Sequence, residues 1–216
     1  MPVFLDQHIS PSTRLLAWKI TEPFDDLFDE VALTDINMVR MMSMKSEQHQ
    51  RGFLAVRKLL NHIGYSDFDL SYHATGKPGL KDGRKISISH SHEFSSIIVS
   101  DISTGIDLEL MRDKIRRISH KFTSEAEESW LNPNSADYVA QLTAIWGVKE
   151  SIFKIRNEIG ISFKDHISVP AFDISAQSAK ALLHFADQIT EFTFRFQTVE
   201  DYMLVYAFES ADEDYL

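Results

Sequence analysis

One short stretch constrains the fold more than any other in this chain of 216 residues: residues 105–110, which read Gly-Ile-Asp-Leu-Glu-Leu. Its apolar residues alternate strictly with its two acids, a pattern that predicts a β-strand with one buried face. Side chains on a strand switch faces at each residue, so Asp107 and Glu109 point the same way with Cα atoms about 6.6 Å apart. Two carboxylates at this spacing either lie on a solvated face or share one hard cation.

Composition excludes several classes of protein. The chain is 44 % hydrophobic, enough for a sizeable core, and it contains no cysteine, which rules out disulfides, thiolate zinc sites and a cysteine nucleophile. Residues 1–6 lack the basic and apolar regions of a signal peptide, and no apolar run reaches the roughly 18 residues that span a membrane. These features predict a cytoplasmic protein.

The net charge of −10 argues against non-specific binding to nucleic acid, which needs a basic surface. One local exception is the basic segment, residues 112–121, which contains Arg112, Lys114, Arg116, Arg117 and Lys121. Such a run is either an ordinary solvated face or a surface for an acidic partner.

Apolar residues at helical spacing predict two long helices, over residues 46–64 and 135–159, and Ser124 with Glu127 predicts a capping box. Alternation predicts one hairpin made by residues 86–90 and 95–100 and another over 191–208.

The order of strand, long helix and hairpin occurs twice along the chain. We therefore predict an α+β fold of two similar α/β halves, residues 1–104 and 105–216. Each half would have an antiparallel sheet packed on a long helix.

Two further stretches have residues suited to phosphate chemistry. Gly76-Lys77-Pro78 is either an ordinary turn or a loop in which nothing bulky shields a lysine from a phosphate. Glu150 and Lys154 lie four positions apart on the second long helix. They form either an exposed helical ion pair or a third carboxylate for the cation with a lysine for a phosphate beside it.

Four motifs occur in a fixed order: Gly-Lys-Pro (76–78), Ser-x-Ser-His (87–90), Gly-Ile-Asp-x-Glu (105–109) and Trp-x-x-Lys-Glu-Ser-x-x-Lys (146–154). This set resembles the 4′-phosphopantetheinyl transferases, in particular the larger type that activates surfactin synthetase. The resemblance implies an enzyme of the holo-[acyl-carrier-protein] synthase kind. It would transfer the phosphopantetheine arm of coenzyme A to a serine of an apo carrier protein and release adenosine 3′,5′-bisphosphate.

The resemblance further implies that the two halves are related by pseudo-twofold symmetry, with residues 1–104 as the coenzyme A-binding side and residues 105–216 carrying the metal-binding strand and long helix. By motif position, it also assigns roles. Asp107, Glu109 and Glu150 would hold Mg²⁺. The residues expected to contact coenzyme A are Arg57, Lys77, Pro78, Ser89, His90 and Lys154. Residues 47–51 depart from the basic sequence usual early in the first long helix, which leaves the contacts of the 3′-phosphate open.

The serine proton needs an acceptor. We expect Glu150 to accept it, directly or through a metal-bound water, with His90 as the alternative. Both Glu150 and Lys154 are thus candidate catalytic residues.

We expect a monomer whose carrier protein, acyl or peptidyl, docks near the basic segment, residues 112–121. Carriers of fatty-acid, polyketide and peptide synthesis all remain open. Two other functions compete with the transferase: a non-catalytic homologue that binds carrier protein or coenzyme A, and another Mg²⁺-dependent phosphate enzyme. The complete set of Asp107, Glu109, Glu150 and Lys154 favours the transferase.

Overall fold

The computed structural model describes residues 3–211. They form two compact units, one ending at Asp101 and the other beginning at Ile102. Each unit contains an antiparallel sheet and one long helix, as the predicted α+β class requires. The pseudo-twofold relation between halves stays a prediction. No helix among residues 3–211 is long and apolar enough to cross a bilayer.

The first unit is built around a four-stranded sheet in the order β1-β2-β6-β5. Its strands are β1 (Val3–Ser10), β2 (Thr13–Lys19), β5 (Lys85–Ser91) and β6 (Phe94–Ser100), and a separate hairpin pairs β3 (Leu70–Tyr72) with β4 (Pro78–Leu80). Its helices are α1 (Phe24–Asp29), α2 (Asp35–Met42), α3 (Glu47–His62) and a 3₁₀ turn at Asp67–Asp69. The hairpin of β5 and β6 is the predicted one.

Helix α3 buries the apolar stripe that its spacing predicts. Phe53, Val56, Leu59 and Leu60 lie in the core of this unit, against residues of β2, β5 and β6. Gly64 follows the helix with φ +87°, a left-handed conformation that glycine adopts without a steric penalty.

The second unit contains a five-stranded sheet in the order β7-β11-β10-β9-β8. Its strands are β7 (Thr104–Leu110), β8 (Ile167–Ser168), β9 (Ser178–Phe185), β10 (Gln188–Val199) and β11 (Tyr202–Glu209). Its helices are α4 (Lys114–Ile118), α5 (Glu125–Trp130), α6 (Tyr138–Arg156) and α7 (Phe163–His166), with 3₁₀ turns at Ser119–Lys121 and Ile174–Ala176. The predicted hairpin around Glu200 and Asp201 is confirmed as β10 and β11.

Helix α6 ends three residues earlier than predicted. Asn157, in a left-handed conformation with φ 50°, caps it, and Ile159 is 97 % exposed beyond the end. The predicted end at residue 159 was therefore too late, because asparagine, like glycine, can adopt the left-handed cap.

Two glycines bring α6 unusually close to the sheet. A Cβ added to Gly105 of β7 would lie 2.0 Å from the carbonyl oxygen of Ser151, and one added to Gly147 of α6 would lie 2.6 Å from Cγ2 of Val205. The helix backbone thus packs directly on β7, where a larger residue would hold it away. This approach places the residues of α6 beside Asp107.

We predict that Gly105→Ala destabilises the protein by on the order of 3 kcal/mol, because the new methyl group meets main-chain atoms of α6 that cannot move alone. Urea denaturation of the purified variant measures this loss. Gly79→Ala is the control, since its Cβ would lie 3.4 Å from a flexible His73 side chain. Equal stability of the two variants would contradict the close approach.

Candidate active site

Asp107 and Glu109 lie on β7, as predicted, but their surroundings differ from a solvated outer face. Asp107 is only 5 % exposed, and Glu109 is half-buried. A carboxylate at this depth needs a compensating positive charge or hydrogen bonds. The interpretation of this strand as an ordinary solvated edge is therefore wrong for Asp107.

Lys154 of α6 supplies a positive charge to Asp107. Its Nζ donates hydrogen bonds to Oδ1 of Asp107 at 2.9 Å and to the carbonyl oxygen of Ile106 at 2.8 Å. The lysine side chain remains 27 % exposed, so part of it is still accessible to solvent. The interpretation of Lys154 as one half of an exposed pair with Glu150 is therefore not needed, because its partner is on β7.

Glu150, one helical turn before Lys154, has an unusual carboxyl group. Burial and, next, the negative charge of Asp107 raise the pKa of Glu150 from 4.5 to about 7 against the opposing charge of Lys154, with a smaller contribution from Glu109. These influences mean that the three acids are close enough to interact. A carboxyl group with a pKa near neutrality is suited to exchange a proton at physiological pH.

The donor chemistry of the three acids fits a hard divalent cation. Magnesium prefers a few carboxylates and keeps several waters, so Asp107, Glu109 and Glu150 offer the right kind of ligand. Among residues 3–211, however, no group of three or more Asp, Glu or His side chains is drawn together tightly enough to form a metal cage. Lys154 holds Oδ1 of Asp107, so a cation bound by these acids would share this carboxylate with the lysine.

Lys77 lies in the first unit, in the turn between β3 and β4, just before Pro78 begins β4. The turn is closed by hydrogen bonds from the amide of His73 to the carbonyl of Lys77 and from that of Gly76 to the carbonyl of His73. Burial lowers the pKa of Lys77, and the nearby charge of Lys85 lowers it further. Two ammonium groups close enough to repel each other make a favourable place for an anion.

Ser89 and His90 lie near the end of β5. The Ser89 side chain is 7 % exposed, whereas His90 is exposed, with its ring 6.0 Å from that of His49 on α3. A Cβ at Gly52 of α3 would approach Cδ2 of His90 to 3.3 Å, so the imidazole packs against the helix there. His49 and His90 thus form a pair of imidazoles near the start of α3.

Arg57 does not lie where a ligand can reach it in this structure. Its side chain is 1 % exposed, and its Nε donates a 2.8 Å hydrogen bond to Asp67, whose own side chain is fully buried. The same carboxylate accepts hydrogen bonds from the amide of Thr34 and from Nδ2 of Asn37, each at 2.8 Å. Arg57 therefore joins α3 to the start of α2, and binding of coenzyme A by this residue stays an untested prediction that the geometry does not favour.

The sequence reasoning gave no role to Lys149 and found Glu127 only as a helix cap. Lys149 is completely buried, and its Nζ donates a 2.8 Å hydrogen bond to Oε2 of Glu127. Burial lowers the pKa of Lys149, and the charge of Glu127 opposes that effect. A signal was available, because Lys149 falls at helical spacing between the buried Ile145 and Ile152.

Trp146 of the same motif packs against aromatic rings. Its ring centroid lies 5.2 Å from that of Phe122 and 5.6 Å from that of Phe163, both in edge-on geometry. It thus stabilises the contact of α6 with the segment before α5 and with α7.

A strand and a packed helix that present three interacting acids and a lysine have the side chains that cation-assisted phosphate chemistry uses. The family model of the 4′-phosphopantetheinyl transferase superfamily matches residues 103–207, slightly less than half of the chain, which include β7, the basic segment and α6. This part of the chain is therefore similar to that superfamily, and the resemblance inferred from the motifs is confirmed. No curated protein matches the chain.

The match indicates the general chemistry. Enzymes of this superfamily transfer phosphopantetheine from coenzyme A to carrier proteins and generally use a divalent metal. The subtype, the identity of the metal and the particular carrier are treated below as proposals.

We predict that Glu150 makes the metal-free protein less stable as the pH rises. Its folded pKa of about 7 exceeds its ordinary value of 4.5, so the folded state holds the proton more tightly, and stability falls as pH rises from 4.5 through 7. Glu150→Gln should reduce the difference in unfolding free energy between pH 5 and pH 8 by on the order of 1–3 kcal/mol.

Urea denaturation in the presence of a chelator measures this difference. Glu125→Gln, at an exposed carboxylate, serves as the control. The same pH dependence in wild type and Glu150→Gln would contradict the coupled acids.

Proposed function

We propose that this protein transfers the 4′-phosphopantetheine group of coenzyme A to a serine of an apo acyl or peptidyl carrier protein, as a holo-[acyl-carrier-protein] synthase of the surfactin-activating type. The reaction would depend on Mg²⁺ and release adenosine 3′,5′-bisphosphate. The observation that carries the proposal is the interaction of Asp107, Glu109 and Glu150 beside Lys154. Four ionisable side chains of this kind on one strand and one helix suit transfer at a pyrophosphate.

In the proposed reaction the serine oxygen attacks the phosphorus that carries the pantetheine arm. The bond from that phosphorus to the oxygen of adenosine bisphosphate breaks, and the leaving oxygen takes the electron pair. Negative charge grows on the phosphate oxygens during this step, and positive groups around them lower the barrier. Bound Mg²⁺, held by Asp107, Glu109 and Glu150, would supply part of that charge stabilisation.

Glu150 is the proposed acceptor of the serine proton. Its interaction with Asp107 and Glu109 supports this role, because it places the carboxyl group of Glu150 at the proposed cation site. A bound cation would favour the ionised form, which is the form that accepts the proton. The alternative base, His90, is exposed and packs on α3, and we assign it to phosphate binding.

Lys154, Lys77, Ser89 and His90 are the proposed contacts of the coenzyme phosphates. Lys154 keeps part of its side chain accessible to solvent while it holds Asp107. The lowered pKa of Lys77 beside Lys85 supports an anion at that turn, since a bound phosphate would relieve their repulsion. Pro78 would act by fixing the backbone after Lys77.

We expect Asp107→Asn to abolish transfer, because it removes a proposed metal ligand and the partner of Lys154. The assay incubates the protein with coenzyme A, Mg²⁺ and an apo carrier protein and detects the mass added to the carrier. Asp101→Asn, at an exposed carboxylate paired with Arg84, is the control. Full transfer by Asp107→Asn would refute the proposed site.

The same assay separates the competing functions. A non-catalytic homologue would bind carrier or coenzyme A without modifying the carrier, and a hydrolase would consume coenzyme A without adding mass to it. Transfer that proceeds equally well in a chelator would remove Mg²⁺ from the proposal.

The basic segment is the proposed docking surface for the carrier. Ile115 and Ile118 pack against the core of the second unit, while Arg112, Lys114, Arg116, Arg117 and Lys121 are exposed. Arg116 is also engaged by Asp113, the carbonyl of Pro133 and the ring of Tyr138. Arg117 is the better position for a charge test, because reversing Arg116 would also break those contacts.

We predict that Arg117→Glu raises the KM for an acidic carrier protein severalfold and leaves the KM for coenzyme A unchanged. Charges at the rim of an interface mainly set the association rate and its dependence on salt. Steady-state kinetics at low and high salt measure both effects. Lys81→Glu makes the same change of charge at an exposed residue of the first unit. An equal rise in the KM for the carrier protein in both variants would show that the basic segment is not the docking surface.

A further inference from the structure

Lys149 uses all of its hydrogen-bonding capacity inside the protein. Its Nζ donates to the carbonyl of Phe122 at 2.7 Å, to Oε2 of Glu127 at 2.8 Å and to the carbonyl of Phe163 at 3.0 Å. A lysine ammonium group has three N–H bonds, and here each one reaches a different segment of the chain. The residue immediately after Lys149 is Glu150.

Glu127 extends the same network. Its Oε2 also accepts a 2.8 Å hydrogen bond from the amide of Ser124, and its Oε1 accepts one of 2.9 Å from the amide of Val169. Together, Lys149 and Glu127 connect α6 to four backbone groups, at Phe122, Ser124, Phe163 and Val169. The first of these directly follows the basic segment.

Stability alone does not account for this pair. Both side chains are at most 1 % exposed, and removing two charges from water costs several kcal/mol that their attraction offsets only in good geometry. Apolar residues of similar volume often stabilise such a position equally well. What they cannot do is fix the positions of four backbone groups through directed hydrogen bonds.

We propose that Lys149 and Glu127 are positioning residues, which hold the end of the basic segment at a set distance from the turn of α6 that carries Glu150. A carrier protein bound to the segment would then present its serine to Glu150 in one defined position. This inference rests on the proposed function for its kinetic consequence. The network itself does not depend on that function.

The test replaces the pair as a unit, with Lys149→Met and Glu127→Leu together, because removing one partner leaves a buried charge without compensation. We expect a severalfold rise in the KM for carrier protein and a fall in kcat, with an unchanged KM for coenzyme A. Phe192→Leu, a core truncation in β10 outside the network, is the control at a matched loss of melting temperature.

A second measurement does not require catalysis. Hydrogen exchange of the backbone amides of residues 119–125 should be faster in the double variant than in Phe192→Leu. Unchanged exchange there would overturn the positioning role. If the double variant and Phe192→Leu had the same KM for carrier protein, the network would have no role in transfer. A wild-type protein without transfer would count against the proposed function alone, and the exchange experiment would still decide the positioning role.

Discussion

The candidate active site depends on the close approach of α6 to β7. Gly105 has no side chain, and its backbone lies against the carbonyl of Ser151, so the helix rests on the strand itself. Lys154 is one turn beyond Glu150 on this helix, and the approach lets its Nζ reach both Asp107 and the carbonyl of Ile106. A side chain at position 105 would separate strand and helix and break up the site.

The charges at this site balance only in part. Lys154 compensates Asp107, but Glu150 is half-buried beside two other acids, and burial with their repulsion keeps its carboxyl group close to half-protonated at neutral pH. A divalent cation would relieve the repulsion and favour the ionised form of all three acids. Repulsion among the three carboxylates thus destabilises the metal-free protein, and cation binding would relieve it. Cation binding would also release the proton from Glu150, so metal affinity would depend on pH.

Much of the fold could be predicted because its signals are local. The alternation in β7, the apolar stripe of α3 and the capping box of Ser124 and Glu127 depend on neighbouring residues, and the structure confirms all three. Strand β9 was missed because its sequence, Ser-Ala-Lys-Ala-Leu-Leu-His-Phe, has no strict alternation and several residues that favour helices. Its pairing with β10, from Phe185 and Gln188 to Ser178 and Arg195, is a tertiary interaction that local preference does not report.

The predicted site residues divide for a similar reason. Residue type and motif order predicted Asp107, Glu109, Glu150 and Lys154, which the structure brings close enough to interact, and they also predicted Arg57, which is buried against Asp67; they gave no role to Lys149. Both cations occupy the apolar stripe of a long helix, and each is buried against an acid that starts or caps a short helix, Asp67 or Glu127. A lysine or arginine in the apolar stripe of a helix should first be expected to pair with a buried acid of the same protein, because burying an unpaired charge strongly destabilises the folded state. By this criterion Lys154, which remains partly exposed beside Asp107, is a better candidate than the fully buried Lys149 for contact with a ligand.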